Sequence, residues 1–102
     1  MNEYRTHNCG ELNISNVGQE VRLAGWVAKV RDLGKMKFID LRDECGITQI
    51  IVSDESLLKD ITTECTVAVS GKVVERASKN LKIPTGEIEI EATSLKVLGK
   101  YL

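Results

Sequence analysis

MKFIDLRDECGITQIIVS, residues 36–53, decides the fold. It reads as a strand, a turn and a second strand. Ile39 and Leu41 alternate with Asp40 and Arg42, and a period of two places successive side chains on opposite faces of a sheet. DECG turns the chain at Gly46, and ITQIIVS, residues 47–53, returns as the next strand. Phe38, the only phenylalanine in the chain, falls in phase with the charged residues and so on the wet face. The alternative is a bulge that reverses the local phase and makes Phe38 a core residue.

Working outward, VRLAGWVAKVRD, residues 21–32, is a long β-branched strand with Gly25 inside it. A glycine there suggests the bend or bulge that a strand needs to turn a barrel corner. Gly34 then offers a turn, and the first three strands make a meander. Before them, Asn13 to Val17 predicts a single helical turn, capped by Asn13 or Ser15 and stopped by Gly18. After them, DESLLKDITTE, residues 54–64, predicts one helix. Ser53 or Asp54 can cap it, and Leu57, Leu58 and Ile61 fall at helical spacing. TVAVSGKVVERA, residues 66–77, is a fourth strand with Val67, Val69, Gly71 and Val73 on one face. A loop, SKNLKIPTG, leads to a fifth, GEIEIEATSLKVL, with Ile88 and Ile90 inward and Glu87, Glu89 and Glu91 outward.

The order β-β-β-α-β-β predicts an all-β chain: a five-stranded OB-fold Greek-key barrel with one helix between strands 3 and 4. A β-sandwich is the structural alternative, but it usually has more strands and no helix at that place. With a single proline and no linker or repeat, residues 1–102 form one domain, with 1–20 as its lead-in.

Composition excludes several functions. At 42% hydrophobic and 28% charged the chain resembles an ordinary soluble domain, with no apolar run of membrane-spanning length and no signal-peptide core. Cys9, Cys45 and Cys65 are odd in number, widely spaced and free of any C-x-x-C pair, which predicts reduced thiols and a cytoplasmic setting. His7 has only Cys9 near it. There is no G-x-S-x-G, no P-loop and no dinucleotide fingerprint, so no catalytic residues, metal site or cofactor site are expected in this chain. Asp40 and Asp43, flanking Arg42, are expected to be structural.

Charge points toward binding. The net charge is −1, but residues 22–42 carry six basic and two acidic side chains, and residues 72–82 carry four basic and one acidic. Such local excess attracts polyanions even when the total is near zero; the competing reading is a solvated strand face. OB barrels commonly bind single-stranded nucleic acid across strands 2 and 3, with loops closing over the groove. An outward Phe38 can stack on an unpaired base, while Lys29, Arg31, Lys35, Lys37 and Arg76 are candidates for phosphates. Gln49 carries both donor and acceptor, and a glutamate can accept from base N–H groups, so Phe38, Gln49 and a glutamate suggest base reading. Trp26, which follows Gly25, is expected to be a packing residue.

YRTHNCGEL (4–12), VGQEVRLAGWV (17–27), RDLG (31–34), FIDLRD (38–43), GITQIIV (46–52) and TGEIEIEA (85–92) resemble the N-terminal anticodon-binding domain of bacterial-type aspartyl-tRNA synthetases. RTH-x-CG is the most specific element; the others are shared more loosely with the asparaginyl and lysyl enzymes. The resemblance implies that Phe38 stacks on an anticodon base and that Gln49 reads the middle uracil. It implies that Glu89 recognises base edges and Arg31 faces the anticodon loop. Asn80 falls in the loop between strands 4 and 5, where the family often contacts the anticodon. Where bacterial members often carry a run of arginines, this chain has Ala28-Lys29-Val30-Arg31, which leaves fewer phosphate contacts.

The implied partner is the anticodon stem-loop of aspartate tRNA, and no membrane is involved. ATP and Mg²⁺ would serve a catalytic domain beyond this chain, so the chain itself is expected not to be an enzyme. It reads as an excised domain and a monomer, the parent ligase as a homodimer; a free-standing paralogue is the alternative. Three other functions remain open: an asparaginyl or lysyl counterpart, a general single-strand binder, or a protein-interaction barrel.

Overall fold

A computed structural model of the chain describes residues 6–32, 36–53, 56, 61, 65–77, 79–83 and 85–99. Its strands are β1 (Glu20–Asp32), β2 (Lys37–Asp43), β3 (Gly46–Val52), β4 (Thr66–Glu75) and β5 (Ile88–Gly99). They close into a barrel in the order β1-β2-β3-β5-β4, with β4 paired back to β1. Neighbours run antiparallel except β3 and β5, which pair in parallel through Ile50 with Ile90 and Ile51 with Glu91. Closure leaves no long unpaired edge. The predicted five-stranded OB barrel is therefore present. The helix expected over 54–64 lies outside the described residues, apart from Ser56 and Ile61, and Ile61 packs against the core.

β1 holds the barrel together because it serves two partners. Its first half, Glu20 to Trp26, pairs with β4, and its second half, Trp26 to Asp32, pairs with β2. Gly25 sits at the handover. A Cβ there would lie 2.2 Å from the Arg42 carbonyl oxygen, so only glycine lets the two backbones approach this closely. The bulge itself falls three residues later: Val27 pairs with Leu41 and Lys29 with Asp40, leaving Ala28 as the extra residue. Without that insertion Lys29 would point into the core. With it, Val27 and Val30 face inward while Trp26, Lys29 and Arg31 share the outer face.

The core follows the alternation. Ile39, Leu41, Ile50, Val52, Val67, Val69, Val73, Ile88 and Ile90 are all buried, with Val21, Leu23 and Val27 from β1. Deleting a buried Leu or Ile side chain of this kind costs about 2–5 kcal/mol.

The lead-in closes one end. A 3-10 turn at Ile14–Asn16 is capped by Asn13, whose Oδ1 accepts from the Ser15 N–H at 2.9 Å; the Asn13 N–H in turn donates to Asn16 Oδ1 at 2.9 Å. Upstream, Cys9 and Gly10 are pressed against the β2–β3 turn. The buried Asp43 carboxylate accepts from the N–H groups of Cys9 at 2.8 Å, Cys45 at 2.8 Å and Gly46 at 3.1 Å. Thr48 Oγ1 donates to the Cys9 carbonyl at 2.7 Å. The backbones of Gly10 and Gly46 touch here, and a Cβ on Gly10 would lie 2.2 Å from the Cys45 carbonyl oxygen. The Cys9-Gly10 end of the most specific sequence element thus has a packing function, and Asp43 is structural as expected.

Candidate nucleic-acid interface

The pairing register places the outward side chains of β1, β2 and β3 in three rows. Arg31, Phe38 and Ile51 form the first, Lys29, Asp40 and Gln49 the second, and Trp26, Arg42 and Ile47 the third. Phe38 is half-buried on this outer face, in phase with Asp40 and Arg42, while Ile39 and Leu41 are fully buried. The Ala28 bulge lies in β1 and leaves the phase of β2 unbroken.

A chain of side-chain hydrogen bonds crosses this face. One Arg31 guanidinium nitrogen donates to Asp40 Oδ1 at 2.8 Å and to Gln49 Oε1 at 2.7 Å. Gln49 Nε2 donates to Glu89 Oε1 at 2.7 Å. The Arg31 guanidinium also lies 5.6 Å from the centroid of the Phe38 ring, within the range of a cation–π contact. Four strands, β1, β2, β3 and β5, therefore fix the orientation of the Gln49 amide. Gln49 has two N–H donors and two acceptor lone pairs. Glu89 takes one donor and Arg31 one lone pair, which leaves one of each for a ligand.

A cavity of about 390 Å³ opens over this network, lined by Phe38, Arg31, Gln49, Glu89, Arg76 and Met36 among others. Small-molecule sites typically span about 300–1,000 Å³, so a flat heterocycle fits. A second, smaller cavity shares Arg31, Gln49 and Arg76 and adds Asp40, Asn80 and Ile83. Among the described residues, Arg31 Nε and Arg76 Nε are buried donors without a hydrogen-bond partner. Buried orphan donors are rare and call for a reason; here both belong to side chains that line the cavity.

The structure brings Phe38, Gln49, Glu89 and Arg31 into one cluster and sets Arg76 beside them. Asn80 stands on the rim of the smaller cavity. Its side chain accepts from the Lys82 N–H at 3.1 Å, and its backbone N–H donates to the Gly86 carbonyl at 2.9 Å, so it also shapes the loop. Lys29 is exposed in the middle row. Lys37 does not join them. It shares the inward parity of Ile39 and Leu41, and its ammonium bonds Asp32 at 3.0 Å with the side chain only 16% exposed. Lys35 lies outside the described residues. Among the described residues no group of three or more His, Cys, Asp or Glu comes together to hold a metal ion, and no helix is long and apolar enough to cross a membrane.

Two residues have surroundings that the sequence reading did not foresee. Asp40, expected to be only structural, anchors the Arg31 end of the network; its outward phase with Phe38 was the available signal. Trp26, expected to pack, is 37% exposed on the outer face.

The chain is 53% identical over 98 residues to an aspartate--tRNA ligase of Mesoplasma florum, covering 94% of this chain and 17% of that protein. It is 52% identical over 105 residues to an aspartate--tRNA(Asp/Asn) ligase of Rubrobacter xylanophilus, covering 96% and 18%. The chain thus spans less than a fifth of the length of these relatives. Among solved structures, an asparaginyl-tRNA synthetase from Pyrococcus horikoshii superposes with a TM-score of 0.75 at 29% identity, over 93% of this chain and 22% of that one. An OBody bound to hen egg-white lysozyme shares the fold, with a TM-score of 0.83 at 24% identity over 95% and 97% of the two chains. Residues 21–98 match the tRNA anticodon family, whose members are OB-fold nucleic acid binding domains. With most of its length inside that match, the chain belongs to this family of OB-fold nucleic acid binding domains.

Proposed function

We propose that the chain is the anticodon-binding domain of an aspartate--tRNA ligase and that it reads the anticodon guanine-uracil-cytosine. The observation that supports this most is the Gln49 amide, held by Arg31 on one side and Glu89 on the other, beside the outward ring of Phe38. Phe38 provides the stacking floor for the middle base, a contact worth about 1–3 kcal/mol. The lone pair and N–H that Gln49 has left match the donor and acceptor edge of uracil. The second Glu89 oxygen accepts from a neighbouring base amine, and Asn80 closes the loop side of the site. Lys29 and Arg76 meet the backbone, and the orphan Nε–H groups of Arg31 and Arg76 gain acceptors on binding.

The partner is the anticodon stem-loop of aspartate tRNA. Aspartate activation with ATP and Mg²⁺ belongs to the remainder of such a ligase, and no residue here is assigned to it. The test is a titration of the chain with two stem-loops, one carrying guanine-uracil-cytosine and one with the middle uracil replaced. The replaced loop binds more weakly by about 1–3 kcal/mol, the worth of a well-paired base edge. Equal affinity, with a steep dependence on salt, would instead identify a general single-strand binder.

A further inference from the structure

In the third row of the outer face, Trp26 and Arg42 have no part in the site just described. Trp26 is the chain's single tryptophan and presents 37% of its surface to solvent. Its cross-strand neighbour is Arg42, and Ile47 lies next in the same row. Among the described residues neither the Trp26 indole N–H nor the Arg42 guanidinium has a partner. These side chains line a shallow groove of about 480 Å³, with Glu44 on its rim and Ile83 from the β4–β5 loop on its far side. Ile47 and Ile83 also line the smaller cavity beside Gln49 and Asn80. The three cavities thus share lining residues along this face, from Phe38 past Gln49 to Trp26.

The spacing suits one strand of nucleic acid. Phe38 and Arg42 are four residues apart on β2, roughly 13 Å at ~3.3 Å per residue. OB domains engage about 4–16 nucleotides, more than the triplet over Phe38, Gln49 and Glu89 accounts for. An exposed indole with a free N–H beside an unpaired arginine is the combination that single-strand sites use, stacking for the base and a cation for the phosphate. Asp43 and Glu44 also line the groove, with Asp43 bonded to three backbone N–H groups, and Arg42 and Lys29 lie on the same outer face.

We propose that Trp26 and Arg42 form a second, sequence-tolerant platform that stacks a nucleotide of the same RNA flanking the read triplet. Trp26 takes the base face and Arg42 the adjoining phosphate. The platform adds affinity and does not choose the anticodon. It rests on the anticodon-loop reading above, and its own failure has a separate signature.

The lone tryptophan supplies that signature, because indole emission from this chain comes from the platform alone. The full chain is titrated with a labelled stem-loop carrying guanine-uracil-cytosine, with label anisotropy reporting binding and tryptophan emission reporting stacking. Emission is quenched along the same curve as binding. Trp26→Ala lowers affinity about tenfold or more, by the same factor for the cognate loop and the loop with the middle uracil replaced. Trp26→Phe keeps most of the affinity, and Arg42→Gln lowers it while flattening its salt dependence. If Trp26→Ala fails to fold, the quenching in the wild-type chain and the Arg42→Gln titration still decide. Tight, discriminating binding with unchanged emission would overturn the platform and leave the anticodon reading standing. Failure of every stem-loop to bind would remove both.

Discussion

Two polar clusters sit within a few residues of each other on β2, and they are satisfied in different ways. Asp43 is 5% exposed and accepts three backbone N–H groups from the lead-in and the β2–β3 turn. Asp40, three residues earlier, holds Arg31, which holds Gln49, which holds Glu89, all through side chains. A carboxylate locked to backbone amides can be released only by moving the chain, so it belongs to the fold. Side chains bonded to one another, with orphan donors on Arg31 and Arg76 nearby, can exchange those partners for a ligand. The same kinds of group thus serve structure on one side and, in the proposed function, recognition on the other.

Asp43→Ala breaks the first cluster and is expected to have the largest effect. It strands three N–H groups in a closed site and destabilises the chain by about 3 kcal/mol or more. At ~4–8 °C per kcal/mol for a domain of this size, thermal unfolding shifts down by roughly 12 °C or more. Asp43→Asn, which keeps one acceptor oxygen, falls between. Gln49→Ala breaks the second cluster. Discrimination between the cognate loop and the loop lacking the middle uracil falls by about 1–3 kcal/mol, read by paired titrations. Its melting temperature falls by less than that of Asp43→Ala, because the groups it strands are partly solvated.

The two lysines sharpen the comparison. Lys29→Ala lowers affinity for all loops alike and reduces the slope of log affinity against log salt by about 0.7–1. Lys37→Ala, on the inward parity and bonded to Asp32, leaves that slope unchanged. The smallest effect belongs to Lys79. The hydrogen bond and charge of Glu75 hold its pKa above the ordinary lysine value. It is an exposed pair, and melting of Lys79→Ala at neutral pH matches the wild type.

Much of this was legible in the sequence. Alternation in FIDLRD and GEIEIEA fixed which residues face the core, and it placed Phe38 outward because β2 has no bulge. The resemblance picked out Gln49 and Glu89, which the barrel then brings together from β3 and β5. What the sequence hid traces mainly to Ala28. A bulge at an alanine has no compositional mark, whereas Gly25 nearby draws attention and serves a close backbone approach instead. The insertion shifts β1 by one residue against β2, which sets Lys29 against Asp40 and Arg31 against Phe38. Cross-strand partners such as Arg31 and Asp40 could not be paired without it. The partial exposure of Trp26, 37%, was not foreseen, because a large aromatic in a strand is usually covered.

If the outer face of β1, β2 and β3 is a recognition surface and not a misphased part of the core, Phe38 contributes more to binding than to folding. Phe38→Ala tests it most directly, with thermal melting and stem-loop affinity measured on the same sample. The expected result is unchanged circular dichroism, a small change in melting and an affinity loss of about 1–3 kcal/mol. A large fall in melting temperature with undiminished affinity would contradict it.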